Sequence, residues 1–408
     1  MPAQRITSNK EPGAIIIFGM TLDELLALVR ARTHEVLPEE DLVKKAKRHL
    51  SGKPMRIKLG CDPTRPDLHL GHYVVLRKLK ELQDVGAEIV FIVGDFTGMI
   101  GDPSEQSETR PRLSREQIDE NARTYFQQVY RVLDQDKTEV RGNAEWLAKL
   151  SAADVIELAS CYTVARMLER DDYEKRFKAG VPIYIHEFLY PLYQGYDSFA
   201  IKADIEAGGT DQKFNFLVGR AVQEHFGMEP QVILTMPLLR GTDGVRKMSK
   251  SWDNYIGITE SPRDMFGKLM SISDELMPEY YTLLLDLTSE VKKLIRDDPR
   301  EAKARLARDT VAIFHGRAEA KRAEEEFNKV FREGGLPDDM PEFKLPEAGL
   351  EVVELLVRSG LASSKSEARR LLDGGGVSLE GARLSVGDVV SRPGILRVGK
   401  RRFLRLRN

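Results

Sequence analysis

Two histidines three residues apart, His69 and His72, are residues whose type and spacing could do chemistry. They end the stretch KLGCDPTRPDLHLGH, in which Gly60 closes a short apolar run and Gly71 would let a ligand approach the backbone. A helical pattern of apolar residues begins directly after His72, so the stretch is predicted to be a loop between a strand and a helix. The free N–H groups and the positive dipole end of that helix favour a bound phosphate.

The elements around this loop are predicted to form a βαβ unit. A second apolar run, residues 89–94, follows the helix at once. A right-handed crossover places the loop at the carboxyl edge of a parallel sheet, where nucleotides bind. No Walker lysine motif and no GxGxxG motif follows the first strand, which argues against a P-loop NTPase and a dinucleotide enzyme.

A second segment with charged groups is KMSKS at residues 247–251, which follows the apolar run 232–239 and a turn-rich lead. The two histidines alone are explained equally well by a helix cap with a packed imidazole. Two lysines in a separate loop add ammonium groups that could reach a triphosphate. In this order and on these elements, HLGH and KMSKS together resemble the two signature motifs of class I aminoacyl-tRNA synthetases.

A third set of polar residues lies in the aromatic-rich segment 183–199. Tyr190, Gln194 and Asp197 follow one another at spacings of four and three, which places all three on one face of a helix. The neighbouring aromatic residues could equally form a core-facing stripe. An amide and a carboxylate on that stripe need buried partners, so we interpret the face as the wall of a polar small-molecule pocket.

Two glycine-rich loops complete the predicted sheet edge. Residues 94–104 contain three glycines beside two aspartates, an arrangement suited either to a tight connection or to the floor under a small cationic ligand. Residues 203–212 are predicted to be a strand that ends in two glycines. The carboxylate of Asp211 then stands where it could accept a hydrogen bond from a ribose hydroxyl.

The composition is that of a globular protein of two or three domains, with 408 residues, 41% apolar and 31% charged. No apolar run approaches the ~20 residues of a membrane span, and the first residues do not have the pattern of a signal peptide. Two cysteines, Cys61 and Cys161, leave no disulfide framework and no zinc site, so we expect a reducing compartment, the cytoplasm.

The charge is distributed unevenly along the chain. Residues 350–408 hold twelve Lys or Arg and six acidic residues, a net charge of +6, whereas the whole chain carries −2 and the remainder therefore −8. A solvated charged surface would explain this equally well. A basic tail on an acidic body is also the asymmetry expected of a protein that binds nucleic acid at one end.

Further segments narrow the resemblance. GCDPT, HLGH, GDFTGMIGDPS, YQGYD, GGTDQ and KMSKS, spread over residues 58–255, look like those of the bacterial tyrosyl-tRNA synthetases. Residues 361–370, LASSKSEARR, resemble the small S-four RNA-binding domain that ends such enzymes. The match covers nearly the whole chain after residue 50.

The resemblance implies a reaction in two steps. L-Tyrosine and ATP give tyrosyl-adenylate and pyrophosphate, and the tyrosyl group then passes to the 3′-terminal adenosine of tRNA(Tyr). It implies ATP as a substrate, Mg²⁺ as a cofactor, a homodimer and no membrane association. Glycines near Lys247 would let that loop close when ATP is present.

The resemblance also implies roles for individual residues. The catalytic residues would be Thr64, His69, His72, Lys247 and Lys250. Tyrosine would be bound by Asp102, Tyr190, Gln194, Asp197 and Gln212. ATP would be bound by Gly60, Asp62, His69, Gly71, His72, Gly209, Asp211, Lys247, Met248, Ser249 and Lys250. RNA would be bound by Lys365, Arg369 and Arg370, and no residue is expected to ligate a metal.

The predicted fold class is α/β. Residues 1–255 form a Rossmann-like parallel-sheet catalytic domain with an N-terminal helical arm and a helical insert, about residues 115–180, that could supply a subunit interface. A helical anticodon-binding domain (256–333), a linker (334–347) and a small α+β RNA-binding domain (348–408) follow. The pattern from 115 to 149 is predicted to be helical throughout.

Two positions depart from the family pattern. Many members carry a tyrosine that helps the aspartate at position 197 hold the phenol, where this chain has Lys58. A lysine often found near the pyrophosphate is replaced by Gln106, with Arg110 as a possible substitute.

Two other functions fit parts of the pattern. A tryptophanyl-tRNA synthetase shares the fold and both motifs, but Asp197 and the RNA-binding tail argue against it. A catalytically inactive paralogue would keep only RNA affinity, but HLGH, KMSKS, Asp211 and Asp197 are all intact.

Overall fold

The computed structural model describes residues 19–63, 67–102, 115–332, 340–346, 348–399 and 402–407. The predictions for Thr64, Gln106 and Arg110 lie outside these residues. The chain divides into two compact units, one of residues 1–261 with 268–314 and the other of residues 262–267 with 315–408.

The first unit is built on a six-stranded sheet. Its strands are β1 (Glu35–Leu37), β2 (Arg56–Cys61), β3 (Glu88–Val93), β4 (Thr138–Gly142), β5 (Ile205–Gly209) and β6 (Val232–Met236). Their order across the sheet is β1-β6-β5-β2-β3-β4, and all neighbours are parallel except the antiparallel pair β1 and β6. The carboxyl ends of β2, β3 and β5 therefore meet at one edge, as predicted.

Helices lie before, between and after these strands in the chain. Those between residues 19 and 332 are α1 (Leu22–Arg30), α2 (Glu39–Leu50), α3 (Leu70–Asp84), α4 (Arg115–Val129), α5 (Ala144–Leu147), α6 (Ala152–Ser160), α7 (Val164–Met167), α8 (Asp171–Lys178), α9 (Ile185–Ala200), α10 (Lys213–His225), α11 (Pro262–Leu269), α12 (Met277–Leu284), α13 (Ser289–Asp297), α14 (Pro299–His315) and α15 (Arg317–Arg332). Within the described residues, no helix has the length and apolar character needed to cross a bilayer.

Local chemistry explains where several helices begin. The Thr21 hydroxyl accepts from the Glu24 N–H at 3.2 Å, and the Glu24 carboxylate accepts from the Thr21 N–H at 2.8 Å, so α1 starts in a capping box. Pro262 and Pro299 are the first residues of α11 and α14, where a missing N–H has no cost.

The prediction of continuous helix from 115 to 149 is wrong at residues 138–142. These residues form β4, which runs parallel to β3 from the pair Ile89 and Thr138 to the pair Val93 and Gly142. Pairing with the buried β3 decides their conformation, because strand formation depends on neighbouring strands more than on local sequence. The insert is thus interrupted by an edge strand of the sheet.

Helices α9 and α10 pack against each other at two glycines. A Cβ on Gly195 would lie 3.0 Å from the Gly219 Cα, so only glycine allows the two helices to come this close. The contact fixes α9 beside the sheet. Tyr190, Gln194 and Asp197 are all buried on this helix, as the one-face prediction required.

The second unit ends in a small α+β domain. Its elements are β7 (Glu342–Lys344), β8 (Leu350–Glu351), α16 (Val352–Arg358), α17 (Lys365–Asp373), β9 (Val377–Leu379), β10 (Ala382–Arg383), β11 (Val389–Val390), β12 (Gly394–Val398) and β13 (Arg402–Arg407). One sheet has the order β10-β9-β12-β13-β7, and apolar residues of α16 and α17 lie in one core with it. Strand β7 falls inside the predicted linker and pairs with β13 in parallel.

Candidate active site

The start of α3 carries both histidines of the HLGH segment. His69 is the N-cap residue, and its Nδ1 accepts from the Gly71 N–H at 3.1 Å. The His69 N–H donates in turn to Nδ1 of His72 at 3.2 Å. Because each Nδ1 accepts, each neutral ring carries its proton on Nε2 and can donate from that atom.

Both imidazoles are held in the neutral form. Burial, together with the nearby charges of His72, Lys250 and Lys247, keeps the pKa of His69 well below its ordinary value. Burial and the charge of Lys250 lower the pKa of His72 to about 3. At neutral pH the pair therefore offers two uncharged donors instead of a charged cluster.

The segment after KMSKS runs along the start of α3. The Leu70 N–H donates to the Ile256 carbonyl at 3.0 Å, and the Ile258 N–H donates to the Leu68 carbonyl at 3.0 Å. A Cβ on Gly71 would lie 2.9 Å from His69 Cε1 and 3.8 Å from Met248 Cβ. The two motifs, far apart in sequence, are therefore in contact at the carboxyl edge of the sheet.

The two KMSKS lysines contact different groups. Lys247 Nζ lies 2.9 Å from a carboxylate oxygen of Asp211, at the end of β5. Lys250 Nζ lies 3.4 Å from the Tyr125 hydroxyl and 5.5 Å from the centroid of its ring. Tyr125 is a buried residue of α4 that sequence reasoning missed, because nothing distinguishes it from other residues of that helix.

Glycines shape the edge between these groups. No heavy atom of the described residues lies within 4 Å of where a Cβ on Gly60 would stand, so the space above the end of β2 is open. A Cβ on Gly94 would lie 1.9 Å from an Asp62 oxygen, and one on Gly209 would lie 2.4 Å from an Asp211 oxygen. Glycine at these two positions lets the carboxylates approach the strand ends.

Asp62 links the loops that follow β2 and β3 to helix α9. One carboxylate oxygen accepts from the Thr97 hydroxyl at 2.8 Å, and the other accepts from the Tyr190 hydroxyl at 3.0 Å. Asp62, predicted to bind ATP, and Tyr190, predicted to bind tyrosine, are thus in direct contact. The two predicted subsites adjoin here.

A chain of polar groups surrounds Gln212. Its Nε2 donates to Asp102 at 2.8 Å, and its Oε1 accepts from Asn215 at 3.1 Å. The Asn215 oxygen accepts from Arg170 at 3.3 Å, and Arg170 pairs with Asp172 at 2.6 Å. Sequence reasoning missed Arg170 and Asn215. Arg170 is buried, and a buried arginine needs hydrogen-bond or ion-pair partners, which Asn215 and Asp172 supply.

The carboxylate of Asp197 is 3% exposed and accepts two hydrogen bonds. Trp146 Nε1 donates at 2.7 Å and Asn143 Nδ2 at 3.2 Å. Burial raises the pKa of Asp197 to about 7, against the opposing effects of the Lys58 charge and of these two donors. Sequence reasoning missed Asn143 and Trp146, because they follow the strand that it interpreted as helix.

Gln194 faces two directions. Its Nε2 donates to Glu206 Oε1 at 3.0 Å. Its own Oε1 is buried and has no hydrogen-bond partner among the described residues. A buried amide oxygen without a partner is costly, so this atom is a candidate acceptor for a ligand.

Lys58 lies at the position where many family members have tyrosine. Its Nζ lies 2.8 Å from Glu206 and donates to the Gln194 carbonyl and to the Ser198 hydroxyl, both at 2.7 Å. These contacts are with α9 and β5. None of these three contacts is with Asp197, the aspartate predicted to bind the phenol.

The predicted RNA-binding residues lie in the second unit. Lys365, Arg369 and Arg370 are exposed on α17. The helix starts at Ser364, whose hydroxyl accepts from the Glu367 N–H at 3.2 Å. Lys365 and Arg369 are four residues apart and share one side of the helix, whereas Arg370 projects about 100° round the helix from Arg369.

Two protein-family models match this chain, one after the other. The family model described as tRNA synthetases class I (W and Y) matches residues 50–332, and the one described as tyrosine–tRNA ligase SYY-like C-terminal domain matches residues 333–404.

Curated relatives are similar over nearly their whole length. The tyrosine–tRNA ligase of Aquifex aeolicus is 52% identical over 392 residues, which are 95% of this chain and 99% of the relative. That of Burkholderia lata is 53% identical over 98% of this chain and 99% of the relative.

A solved structure shows the same fold. A C-terminally truncated mitochondrial tyrosyl-tRNA synthetase of Aspergillus nidulans superposes with a TM-score of 0.63 at 22% identity. The superposition covers 76% of this chain and 94% of that one.

Proposed function

We propose that the cleft at the carboxyl edge of this sheet performs the reaction of the family to which the chain belongs, the class I tyrosyl-tRNA synthetases. L-Tyrosine is activated by ATP to tyrosyl-adenylate, and the tyrosyl group is then transferred to the 3′-terminal adenosine of tRNA(Tyr). The observation that supports this assignment most is the contact between the HLGH start of α3 and the KMSKS segment.

Activation needs alignment and stabilisation of charge. The tyrosine carboxylate attacks the α-phosphate and pyrophosphate leaves, so no residue of the chain has to form a covalent bond. His69 and His72 donate from Nε2 to phosphate oxygens at the positive end of α3. Lys247 and Lys250 exchange their contacts with Asp211 and Tyr125 for the departing pyrophosphate, which leaves Asp211 to accept from the ribose.

Tyrosine is read at both ends in this proposal. Asp197 accepts the phenolic O–H at the buried end of the pocket. Gln194 Oε1, together with Tyr190 and Asp102, surrounds the ammonium group, and Gln212 lies on the carboxylate side. Phenylalanine would bury Asp197 without the donor that the phenol supplies, leaving only the hydrogen bonds from Trp146 and Asn143, and tyrosyl-tRNA synthetases are the standard example of an enzyme that rejects phenylalanine for lack of such a hydrogen bond.

Mg²⁺ enters the proposal together with ATP. Mg²⁺ in nucleotide sites is usually held by substrate phosphates and water with one or two carboxylates. Within the described residues, no group of three or more His, Cys, Asp or Glu is placed to hold a metal ion. The described residues thus do not by themselves provide a full set of ligands for Mg²⁺.

The remaining segments are proposed to bind tRNA. Residues 256–333 act as the helical anticodon-binding domain, and residues 334–347 connect it to the RNA-binding domain of residues 348–408. Lys365, Arg369 and Arg370 of α17 contact phosphates. Their exposure and the net charge of +6 over residues 350–408 support this role.

The insert is proposed as the interface of a homodimer. Ile156, Val164 and Phe177 of the insert helices α6 to α8 are between 62% and 72% exposed, and Ile185, at the start of α9 just beyond the insert, is 81% exposed. Large apolar side chains that are exposed together on one segment are typical of protein interfaces. Cys61 and Cys161 are free thiols, which is consistent with a cytoplasmic enzyme.

Exchange of labelled pyrophosphate into ATP tests the assignment directly. We expect exchange with L-tyrosine and none with L-tryptophan, and we expect His69→Ala to slow it about a hundredfold or more because a transition-state donor is lost. Tyrosine affinity should change little in that variant. His225→Ala, at the end of α10, is the matched control and should exchange normally.

The two other functions predict different results. Exchange driven by tryptophan and not by tyrosine would identify a tryptophanyl-tRNA synthetase. Binding of tRNA without exchange for either amino acid would identify an inactive paralogue.

A further inference from the structure

Two opposite charges are completely buried beside the proposed tyrosine pocket. Lys58 and Glu206 are both 0% exposed, and they face each other as paired residues of the neighbouring strands β2 and β5. Their charged groups are 2.8 Å apart. They lie between the sheet and α9, the helix that carries the substrate-facing residues.

Such a pair is a poor way to stabilise a fold. Removing two charges from water costs about as much as their attraction returns, and apolar residues of similar volume often do as well or better. A buried ion pair between central strands is therefore expected to have a role other than stabilising the fold. The partners of the pair indicate which role.

Every oxygen of the Glu206 carboxylate is used. Oε1 accepts from Lys58 and from Gln194 Nε2, the latter at 3.0 Å. Oε2 accepts from the Ser198 hydroxyl at 3.2 Å and from Gln231 Nε2. Lys58 also donates to the Gln194 carbonyl, so both charges contact the same residue of α9.

These contacts settle which way the Gln194 amide points. A carboxylate paired with an ammonium group only accepts hydrogen bonds, so the amide must present Nε2 to Glu206. Its Oε1 then faces away from Glu206, and this is the buried oxygen without a partner. With the opposite orientation, two oxygens would meet and the amide nitrogen would face the ligand.

We propose that the Lys58–Glu206 pair is a positioning device that fixes the Gln194 amide with its oxygen towards the substrate ammonium group. The inference rests on the proposed function, because it concerns the ammonium end of the same tyrosine pocket. Lys58 and Glu206 touch no substrate. They act through Gln194 and are positioning residues.

Two double variants separate the acceptor from the charge. Lys58→Met/Glu206→Gln removes both charges and keeps an oxygen that Gln194 Nε2 can donate to, since Gln231 can rotate its own unpartnered oxygen towards the new amide. Lys58→Met/Glu206→Met removes both charges and the acceptor. Both have lost the same lysine, so they differ only in the group that faces Gln194.

Three ligands report on the two ends of the pocket. L-Tyrosine and tyramine carry an ammonium group, whereas 3-(4-hydroxyphenyl)propionate has only the phenol and the carboxylate. We expect the Glu206→Met double variant to bind tyrosine and tyramine about ten- to a hundredfold more weakly, since a hydrogen bond to a charged group is lost. The Glu206→Gln double variant should keep the ratio of tyrosine to propionate affinity within about threefold of that of the unsubstituted enzyme, because the effect of losing the Lys58 charge on Asp197 is common to all three phenols.

Glu206→Asp with Lys58 retained is an independent variant. It keeps both charges and withdraws the acceptor by one methylene, so it should show the same ammonium-selective loss even if the double variants do not fold. Arg176→Met is the matched control. It breaks another buried ion pair, in which the Arg176 guanidinium lies 2.6 Å from the carboxylate of Glu187. Glu187 is on α9, two turns before Gln194. The Arg176→Met variant should not change the ratio of tyrosine to propionate affinity.

Calorimetric titration of the full-length protein decides the outcome. Equal losses for all three ligands would show that the pair merely supports the pocket. Unchanged tyrosine binding in the Glu206→Met double variant and in Glu206→Asp would show that the amide needs no positioning. Either result overturns the inference. Absence of tyrosine-dependent exchange in the unsubstituted enzyme would instead overturn the proposed function, and the inference with it.

Discussion

At the scale of single residues, the site combines neutral donors with one unusual carboxyl group. Burial and nearby lysines keep His69 and His72 uncharged, so their ionisation does not change near neutral pH. Asp197 is different, because burial raises its pKa to about 7. Asp197, the proposed phenol-reading group, is therefore the member of this set whose ionisation changes near neutral pH.

The pH dependence of tyrosine use should follow Asp197. Below about pH 7 the carboxyl gains a proton and loses the charge to which the phenolic O–H donates, so kcat/KM for tyrosine should fall about tenfold per pH unit. Above about pH 8 it should be constant. Pyrophosphate exchange measured at constant ionic strength gives this profile.

Asp197→Asn is the control for this assignment. The amide cannot titrate, so the residual activity should lose the inflection near pH 7. A flat profile in the unsubstituted enzyme between about pH 6 and about pH 8 would contradict the raised pKa.

At the scale of elements, the site is made where neighbouring parallel strands end. Gly60 is the last residue but one of β2, and a Cβ there would meet no other side chain of the described residues. Gly94 directly follows β3, and a Cβ there would collide with Asp62. In the β2–β3 register Gly60 lies opposite Ile92, so Gly94 lies two residues further along the neighbouring strand, at the same edge of the sheet but in different surroundings. Equal substitutions at the two positions should therefore have different consequences.

Gly94→Ala should destabilise the fold, whereas Gly60→Ala should not. The new Cβ at position 94 would displace Asp62 from its bonds with Thr97 and Tyr190, at a cost of about 1 to 3 kcal/mol. At position 60 the methyl group enters open space and should leave the free energy of unfolding within about 0.5 kcal/mol. It should raise the KM for ATP, because Gly60 is among the residues predicted to bind ATP.

Denaturant unfolding and exchange kinetics on the two variants check this prediction. Each glycine variant is the control for the other, since both add one methyl group at the same sheet edge. Equal destabilisation by the two substitutions, or an unchanged KM for Gly60→Ala, would contradict the proposed position of the ligand.

At the scale of the whole molecule, charge is separated between the ends of the chain. Residues 350–408 carry +6, and three of their cations stand exposed along α17. Each phosphate contact releases counterions, so binding through such a surface depends steeply on salt. Activation of tyrosine needs none of these contacts.

Arg369→Gln/Arg370→Gln should weaken tRNA binding and leave pyrophosphate exchange unchanged. The slope of log affinity against log salt concentration should become shallower by about two, because two phosphate contacts are lost. Binding of tRNA measured over a salt series gives the slope. Arg358→Gln, whose guanidinium lies 3.7 Å from Glu354, is the control and should leave the slope closer to the original.

The oligomeric state should depend on the insert. Phe177→Asp/Ile185→Asp replaces two exposed apolar side chains, one in the insert and one at the start of α9, by carboxylates and should convert a dimer to monomers in sedimentation velocity. Val386→Asp, in the second unit and also exposed, should leave the dimer intact. A monomeric unsubstituted protein would refute the proposed interface.

The sequence by itself determined the elements that carry the motifs. The HLGH segment, the KMSKS segment and the polar face of α9 lie in or beside strands and helices whose periodicity is local, and a helix start or a shared helix face follows from spacing alone. The positions of Tyr190, Gln194 and Asp197 along the chain were therefore enough to assign all three to one buried face.

Only the tertiary structure decided which distant residues support them. Asn143 and Trp146 reach Asp197 because β4 adds to the sheet beside β3, and Glu206 reaches Lys58 because β5 lies beside β2. Strand neighbours are set by burial and hydrogen bonding between segments far apart in the chain, and the local sequence of either segment does not encode its partner.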